Sequence, residues 1–250
     1  MKTKLEGKIA VVTGASKGIG AAIAQILAAQ GAAVVVNYVS DQTNADRIVS
    51  TITAQGGKAI AVQADVAKSA DVQKLFAKVQ EVFGQVDVLV NNAAISRFGP
   101  VESISETDFQ QQYHTNVLGP ILTIQQALNY FPPAGGSIIN ISSVAGQNPG
   151  PYTSLYASTK AALNALTISL SRELAPRNIR VNTVAPGNTD TEGARALGLA
   201  GSAIEQALLA ATPLGRVGKP EEVAPVVAFL ASDEAAWITG EKIAASGGMR

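Results

Sequence analysis

Short runs of apolar residues without polar alternation recur along the chain, separated by segments with helical periodicity. Residues 8–13, 33–37, 59–63, 86–90, 137–141 and 179–184 read as strands. Strands that are apolar throughout are expected to be buried on both faces, as in a parallel sheet covered by helices. Residues 20–30, 41–55, 69–83, 106–129 and 154–175 read as helices. Gly31 and the Gly56-Gly57 pair close the first two, and Pro176 stops the last. The alternation predicts one doubly wound α/β domain over residues 1–250. The only irregular insertion, Gly187 to Thr212, is rich in Ala and Gly. It follows a strand, which makes residues 188–212 a candidate lid over the sheet's carboxyl edge.

Composition narrows the function. Hydrophobic residues are 47% and charged residues 15% of the chain, and 19 basic residues balance 19 acidic ones. That balance offers no electrostatic footing for nucleic acid or an anionic membrane. With no cysteine and one histidine, His114, there is no thiolate nucleophile, disulfide or Cys/His metal site. No run approaches the ~18 apolar residues that span a bilayer. The apolar run Ile9 to Val12 is too brief for a signal segment. The expectation is a soluble, cytoplasmic protein without a metal.

Thr13 to Gly20 joins the first strand to the first helix. Glycines 14, 18 and 20 allow a tight turn and close approach of a pyrophosphate to free N–H groups at a helix start. The spacing is G-x-x-x-G-x-G rather than G-x-G-x-x-G, so this turn alone is a weak signal. The second strand ends at Asn37-Tyr38 with no acid at its tip, where an acid would bind a ribose 2′-hydroxyl and repel a 2′-phosphate. Lys17 and Ser40 could serve that phosphate by charge and hydroxyl. Asp41 reads as a helix cap or first-turn acid, with a ribose contact still open to it. Asp65-Val66 and Asn91-Asn92-Ala93-Ala94 follow the third and fourth strands, as ligand contacts or as turn-forming residues.

Tyr156 and Lys160 share a helical face at i, i+4 spacing. A phenol titrates near 10, and a neighbouring ammonium is expected to lower that value toward working pH for general acid–base chemistry. A lone Tyr-x-x-x-Lys is more often a packed phenol beside a solvated lysine. Ser143 directly follows the fifth strand, where its hydroxyl can bond a substrate oxygen as charge develops; Ser142 should face the other way. Asn116 is a polar residue inside a helical stretch that it does not favour, which suits a structural or proton-relay use.

Together these motifs, in this order and spacing, resemble the short-chain dehydrogenase/reductase family nearly end to end. The resemblance implies a Rossmann-type domain with seven parallel strands and a tetrad of Asn116, Ser143, Tyr156 and Lys160. In it Tyr156 exchanges the proton, Ser143 polarises the substrate oxygen, Lys160 holds the nicotinamide ribose, and Asn116 anchors a relay water. It further implies cofactor contacts at Gly14, Ser16, Lys17, Gly18, Ile19, Gly20, Asn37, Tyr38, Ser40, Asp65, Val66, Asn92, Ala93, Pro186, Gly187, Thr189 and Thr191. The Lys17 loop and the Asn-Tyr-x-Ser strand end resemble members using NADP(H) rather than NAD(H), such as carbonyl reductases and 3-oxoacyl-carrier-protein reductases. Ala94, Thr189 and Ala245-Ser246 depart from the family's usual glycine, aliphatic residue and Val-Asp. The leading expectation is an NADP-dependent carbonyl reductase acting on a small molecule, assembled as a homotetramer. The alternatives are a 3-oxoacyl-carrier-protein reductase, a sugar or polyol dehydrogenase, and a cofactor-sensing regulator. A regulator should have lost Tyr156 or Lys160; a carrier-protein enzyme needs a basic patch for its acidic carrier, and Arg172, Arg177 and Arg180 are too few to decide that alternative.

Overall fold

The structure, a computed structural model, describes residues 3–196, 198 and 202–249. Among these, seven parallel strands form one sheet: β1 (Ile9–Val12), β2 (Ala33–Tyr38), β3 (Lys58–Gln63), β4 (Val88–Asn91), β5 (Gly136–Ile141), β6 (Ile179–Pro186) and β7 (Lys242–Ala245). Their order is β3-β2-β1-β4-β5-β6-β7. The helices are α1 (Gly18–Ala29), α2 (Gln42–Ala54), α3 (Ser69–Phe83), α4 (Glu106–Tyr113), α5 (Gly119–Ala127), α6 (Ser154–Leu174), α7 (Glu192–Ala196), α8 (Ala203–Ala210) and α9 (Pro220–Ala231).

The strand pattern is explained by burial on both sides. Ala10, Val12, Val34, Val36, Val90 and Ile139 pack with Ile23 and Leu27 of α1, Ile48 and Ile52 of α2, and Val223 and Val227 of α9. Their neighbours Val11, Val35, Leu89 and Ile138 pack on the opposite face with Val72, Leu75 and Phe76 of α3, Ile124 of α5 and Leu174 of α6. Successive strand residues point to opposite faces, so two cores demand apolar residues at every position. β1 pairs with both β2 and β4, and the strand order reverses there. In an open α/β sheet that reversal leaves a crevice at the carboxyl ends, where ligands bind.

A buried polar chain braces the same edge. Thr123 Oγ1 donates to Asn91 Oδ1 at 2.7 Å, and Asn91 Nδ2 donates to Asn140 Oδ1 at 2.9 Å. Asn140 Nδ2 donates to Thr167 Oγ1 at 2.9 Å, and the Thr167 and Thr183 hydroxyls are 2.7 Å apart. The chain links α5, β4, β5, α6 and β6.

The fold departs from the sequence reading in three places. The helix expected over 106–129 is interrupted by a π-turn, His114–Leu118. β7 and α9 were not evident from the pattern. The insertion 188–212 carries α7 and α8, with residues 197 and 199–201 lying outside the described residues. No described helix is long and apolar enough to cross a membrane.

Candidate active site

The glycine turn is built by what presses against it. Gly14 has φ +60°, and a Cβ there would lie 2.8 Å from Ala93 Cα; a Cβ on Gly20 would lie 2.4 Å from both Asn92 Nδ2 and Gly14 O. The β1 turn and the segment after β4 therefore meet backbone to backbone. Thr13 Oγ1 accepts from the Asn92 and Ala93 N–H groups, and Asn92 Nδ2 donates to the Thr13 and Gly14 carbonyls. From the other side, Asn37 Oδ1 accepts from Gly14 N at 3.2 Å, while its Nδ2 donates to the Val62 and Ala64 carbonyls. The side chains of Asn37 and Asn92, two of the residues expected at the cofactor, bond protein backbone around the glycine turn. Burial and these bonds make them clamps for the turn.

α1 starts without a side-chain cap or a first-turn acid, with Lys17 at its N-cap position. The first N–H groups of a helix have no partner within it and favour an anion. Gly18, with φ +56°, opens this end, Ile19 is partly exposed, and Ser16 and Gly20 are buried. An uncapped helix start behind a turn that admits no Cβ at positions 14 and 20 fits the diphosphate of a dinucleotide.

Around the end of β2, Lys17 and Ser40 are exposed and Tyr38 is buried. Asp41 is the N-cap of α2, accepting from Asn44 N. The Asn44 bonds, then Lys17 and Arg47, hold the Asp41 carboxyl below its usual range. Asp65 Oδ1 accepts from Ala67 N at 3.0 Å and forms a tight turn, with Lys68 Nζ 3.4 Å from its other oxygen. Val66 is buried beneath Gly119 at the start of α5, where a Cβ would meet it at 2.9 Å.

The tetrad residues converge beyond β5. Ser143 accepts from Ala145 N at 3.2 Å and faces the Tyr156 phenol closely enough to favour its ionised form, while Ser142 Oγ turns back and donates to the Lys160 carbonyl at 3.1 Å. Lys160 is 3% exposed; its Nζ donates to Ile141 O at 2.9 Å and lies 5.7 Å from the centre of the Tyr156 ring. Burial pulls its pKa from 10.5 down to about 8. The same burial pushes the Tyr156 phenol above 10, and the Ser143 hydroxyl opposes that rise. The expected lowering of the phenol by Lys160 does not occur in the protein alone. Helical spacing put both groups on one face, but the ammonium is directed to a carbonyl and lies over the ring. Desolvation then dominates.

Asn116 sits in the π-turn and clamps a neighbouring loop. Its Oδ1 accepts from Ile95 N at 2.9 Å, and its Nδ2 donates to Ile95 O at 2.8 Å and Thr159 Oγ1 at 3.1 Å. π-turns inside helices are rare and concentrate at functional sites. The same loop carries Phe98, whose ring meets Tyr156 edge-on at 5.3 Å. Tyr152 adopts φ +64°, and its carbonyl accepts from Gly99 N. Neither Phe98 nor Tyr152 stood out in the sequence, although the Asn148-Pro-Gly-Pro-Tyr152 cluster signals a sharp turn.

The segment after β6 covers the glycine turn. A Cβ on Gly18 would lie 3.4 Å from Thr191 and 3.6 Å from Glu192 Oε2. Pro186 ends β6 against Ala245, and a Cβ on Gly187 would lie 2.8 Å from Ser246 Cα. Thr189 is buried, donates to Gly187 O at 3.0 Å and bridges to Gly218. Thr191 Oγ1 accepts from Ala194 N at the start of α7. On the opposite side of the molecule, the guanidinium of Arg180 donates to the Leu230 and Ser232 carbonyls and that of Arg177 to Leu128 O. Both are committed to backbone.

Known proteins match the chain over nearly its whole length. The family described as enoyl-(acyl carrier protein) reductase matches residues 14–250. An uncharacterised oxidoreductase of Methylorubrum extorquens is 54% identical over 99% of this chain and all of its own. A short-chain dehydrogenase of Burkholderia cenocepacia, solved with NADP, is 39% identical with a TM-score of 0.92, covering 98% of this chain and 99% of that one. An angucycline C-6 ketoreductase, also solved with NADP, is 38% identical with a TM-score of 0.92, covering 98% and 96%. On these matches the chain belongs to the short-chain dehydrogenase/reductase family and is an oxidoreductase.

Proposed function

We propose that this enzyme reduces a ketone or aldehyde to an alcohol with NADPH, Tyr156 supplying the proton. The observation that carries the reading is the gathering of the Tyr156 phenol, the facing Ser143 hydroxyl and the buried ammonium of Lys160, 5.7 Å from the phenol ring centre. When bound, the reduced nicotinamide supplies the hydride. Ser143 donates to the carbonyl oxygen and polarises it. Tyr156 gives its proton to the same oxygen as negative charge develops there. A phenol held above 10 is protonated throughout the neutral range, which suits an acid in reduction. Lys160 spends one N–H bond on Ile141 O, and its remaining N–H groups bind the ribose hydroxyls. Asn116 holds the loop that carries Phe98, and the family resemblance adds a relay water anchored by it.

For the cofactor, the start of α1 holds the diphosphate, with Gly14, Ser16, Gly18, Ile19 and Gly20 shaping the cradle. Lys17 and Ser40 take the 2′-phosphate. The NADP bound to the Burkholderia cenocepacia relative supports this choice, and the ketoreductase relative supports carbonyl reduction. Residues 188–212 act as the lid, for which the proximity of Thr191 and Glu192 to Gly18 speaks. The family resemblance adds a cytoplasmic homotetramer, and the exposed Phe109 and Ile168 on α4 and α6 offer it apolar surface.

A panel of ketones, aldehydes, 3-oxoesters and sugars, each assayed with NADPH and with NADH by the change in nicotinamide absorbance, tests the reading. It predicts NADPH oxidation with at least one carbonyl class. Turnover of sugars with an oxidised cofactor alone would overturn it.

A further inference from the structure

We propose that Asn44 sets the cofactor preference of this enzyme by holding the Asp41 carboxylate away from the 2′-phosphate site. The inference rests on the NADP reading above and concerns how that preference is produced.

An acid just past the second strand ordinarily selects NAD, because it accepts hydrogen bonds from the ribose 2′-hydroxyl and repels a 2′-phosphate. Asp41 stands in that stretch, between the end of β2 at Tyr38 and the start of α2 at Gln42. Its neighbour Ser40 and the nearby Lys17 are the groups assigned to the phosphate. The chain thus carries an acid within the electrostatic reach of its phosphate-binding cation. What makes the acid compatible with NADPH is its orientation. Asp41 Oδ1 accepts from the Asn44 backbone N–H at 3.2 Å, and Oδ2 accepts from Asn44 Nδ2 at 2.8 Å. Both carboxylate oxygens are engaged by one residue on the first turn of α2.

The two bonds have different origins. Any residue but proline at position 44 would supply the backbone N–H, because that is the ordinary N-cap bond. The second bond belongs to the Asn44 amide alone, and it fixes Oδ2. The positive charge of Arg47, one turn further along α2, further offsets Asp41. Asn44 is therefore a positioning residue. It acts on the cofactor through Asp41.

Two substitutions separate orientation from charge. Asn44→Ala keeps the backbone cap and frees Oδ2 to rotate toward the ribose. The free oxygen then accepts from the 2′-hydroxyl of NADH and repels the phosphate of NADPH. Asp41→Asn keeps the cap, since Asn and Asp cap equally well, and removes the charge.

The test is isothermal titration of NADPH and NADH into the wild type, N44A, D41N and the double variant. The NADPH-to-NADH affinity ratio should fall about tenfold in N44A, a coupling of the size expected for one charged hydrogen bond. It should rise in D41N. In the D41N background, N44A should leave the ratio unchanged, because no carboxylate remains to be released. An equal loss of both cofactors in N44A, or the same fall in ratio with Asp41 already replaced, would overturn the proposal and reduce Asn44 to a support of α2. A wild type without preference for NADPH would overturn the NADP reading and this inference together. A wild-type preference that survives N44A would overturn only the inference.

Discussion

Burial of Lys160 makes stability and cofactor affinity respond to pH in opposite directions. The ammonium is 3% exposed, and desolvation lowers its pKa from 10.5 to about 8. In the unfolded chain it titrates at its ordinary value. Between those two values the unfolded state binds more protons than the native one, so stability rises with pH across that interval. Below pH 8 both states are protonated and the native state carries the full cost of the buried charge. A tenfold change in proton affinity corresponds to about 1.36 kcal/mol, so the cost is about 3 kcal/mol, of which about 2.5 kcal/mol is relieved between pH 7 and pH 10. Lys160→Met fills a similar volume and does not titrate. Urea unfolding of the cofactor-free wild type and K160M at intervals from pH 7 to pH 10 isolates this contribution. The wild type should gain about 2.5 kcal/mol on K160M over that range. Meanwhile the charged fraction of Lys160 drops from about 90% at pH 7 to about 10% at pH 9, and NADPH affinity and turnover should fall through pH 8. A stability difference that is flat in pH, or that shrinks as pH rises, would refute the reasoning.

Lys17→Ala should weaken NADPH by about tenfold or more while leaving NADH nearly unchanged, because a charge-assisted bond to a phosphate is worth about 1.5–3 kcal/mol; titration of the two cofactors checks it, and equal weakening would contradict the 2′-phosphate assignment. Asn140→Ala should cost about 2–4 kcal/mol in urea unfolding, since it strands Asn91 Nδ2 and breaks the link from Asn140 to Thr167 in a buried chain.

The architecture was legible because two cores leave their mark on every strand residue. α3 appears at Ser69–Phe83 as its periodicity predicts, and the earlier strands agree within two residues. α9 is masked in the sequence by Pro225 inside it, and β7 by its brevity, since four residues, Lys242 to Ala245, carry too little pattern. The π-turn was illegible for a different reason. It is accompanied by the bonds from Asn116 to Ile95, a contact between distant parts of the chain that no local propensity encodes. At the site, residue types and order gave the convergence of Ser143, Tyr156 and Lys160. They did not give direction. Asn37 and Asn92 lie beside the glycine turn as expected, yet their amides face backbone. Asp41 caps α2, one of the two readings left open. The titration of Tyr156 departs from its spacing because spacing specifies a shared helix face, whereas the atom met by Lys160 Nζ depends on the Ile141 carbonyl of the adjoining strand.

The proton-donating phenol is the centre of this account, and Tyr156→Phe with NADPH and a carbonyl identified by the panel tests it most directly. Removing a positioned general acid is expected to slow turnover by about 10²–10⁴-fold, with NADPH binding by titration remaining within about threefold of the wild type. Turnover within tenfold of the wild type would show that another group delivers the proton.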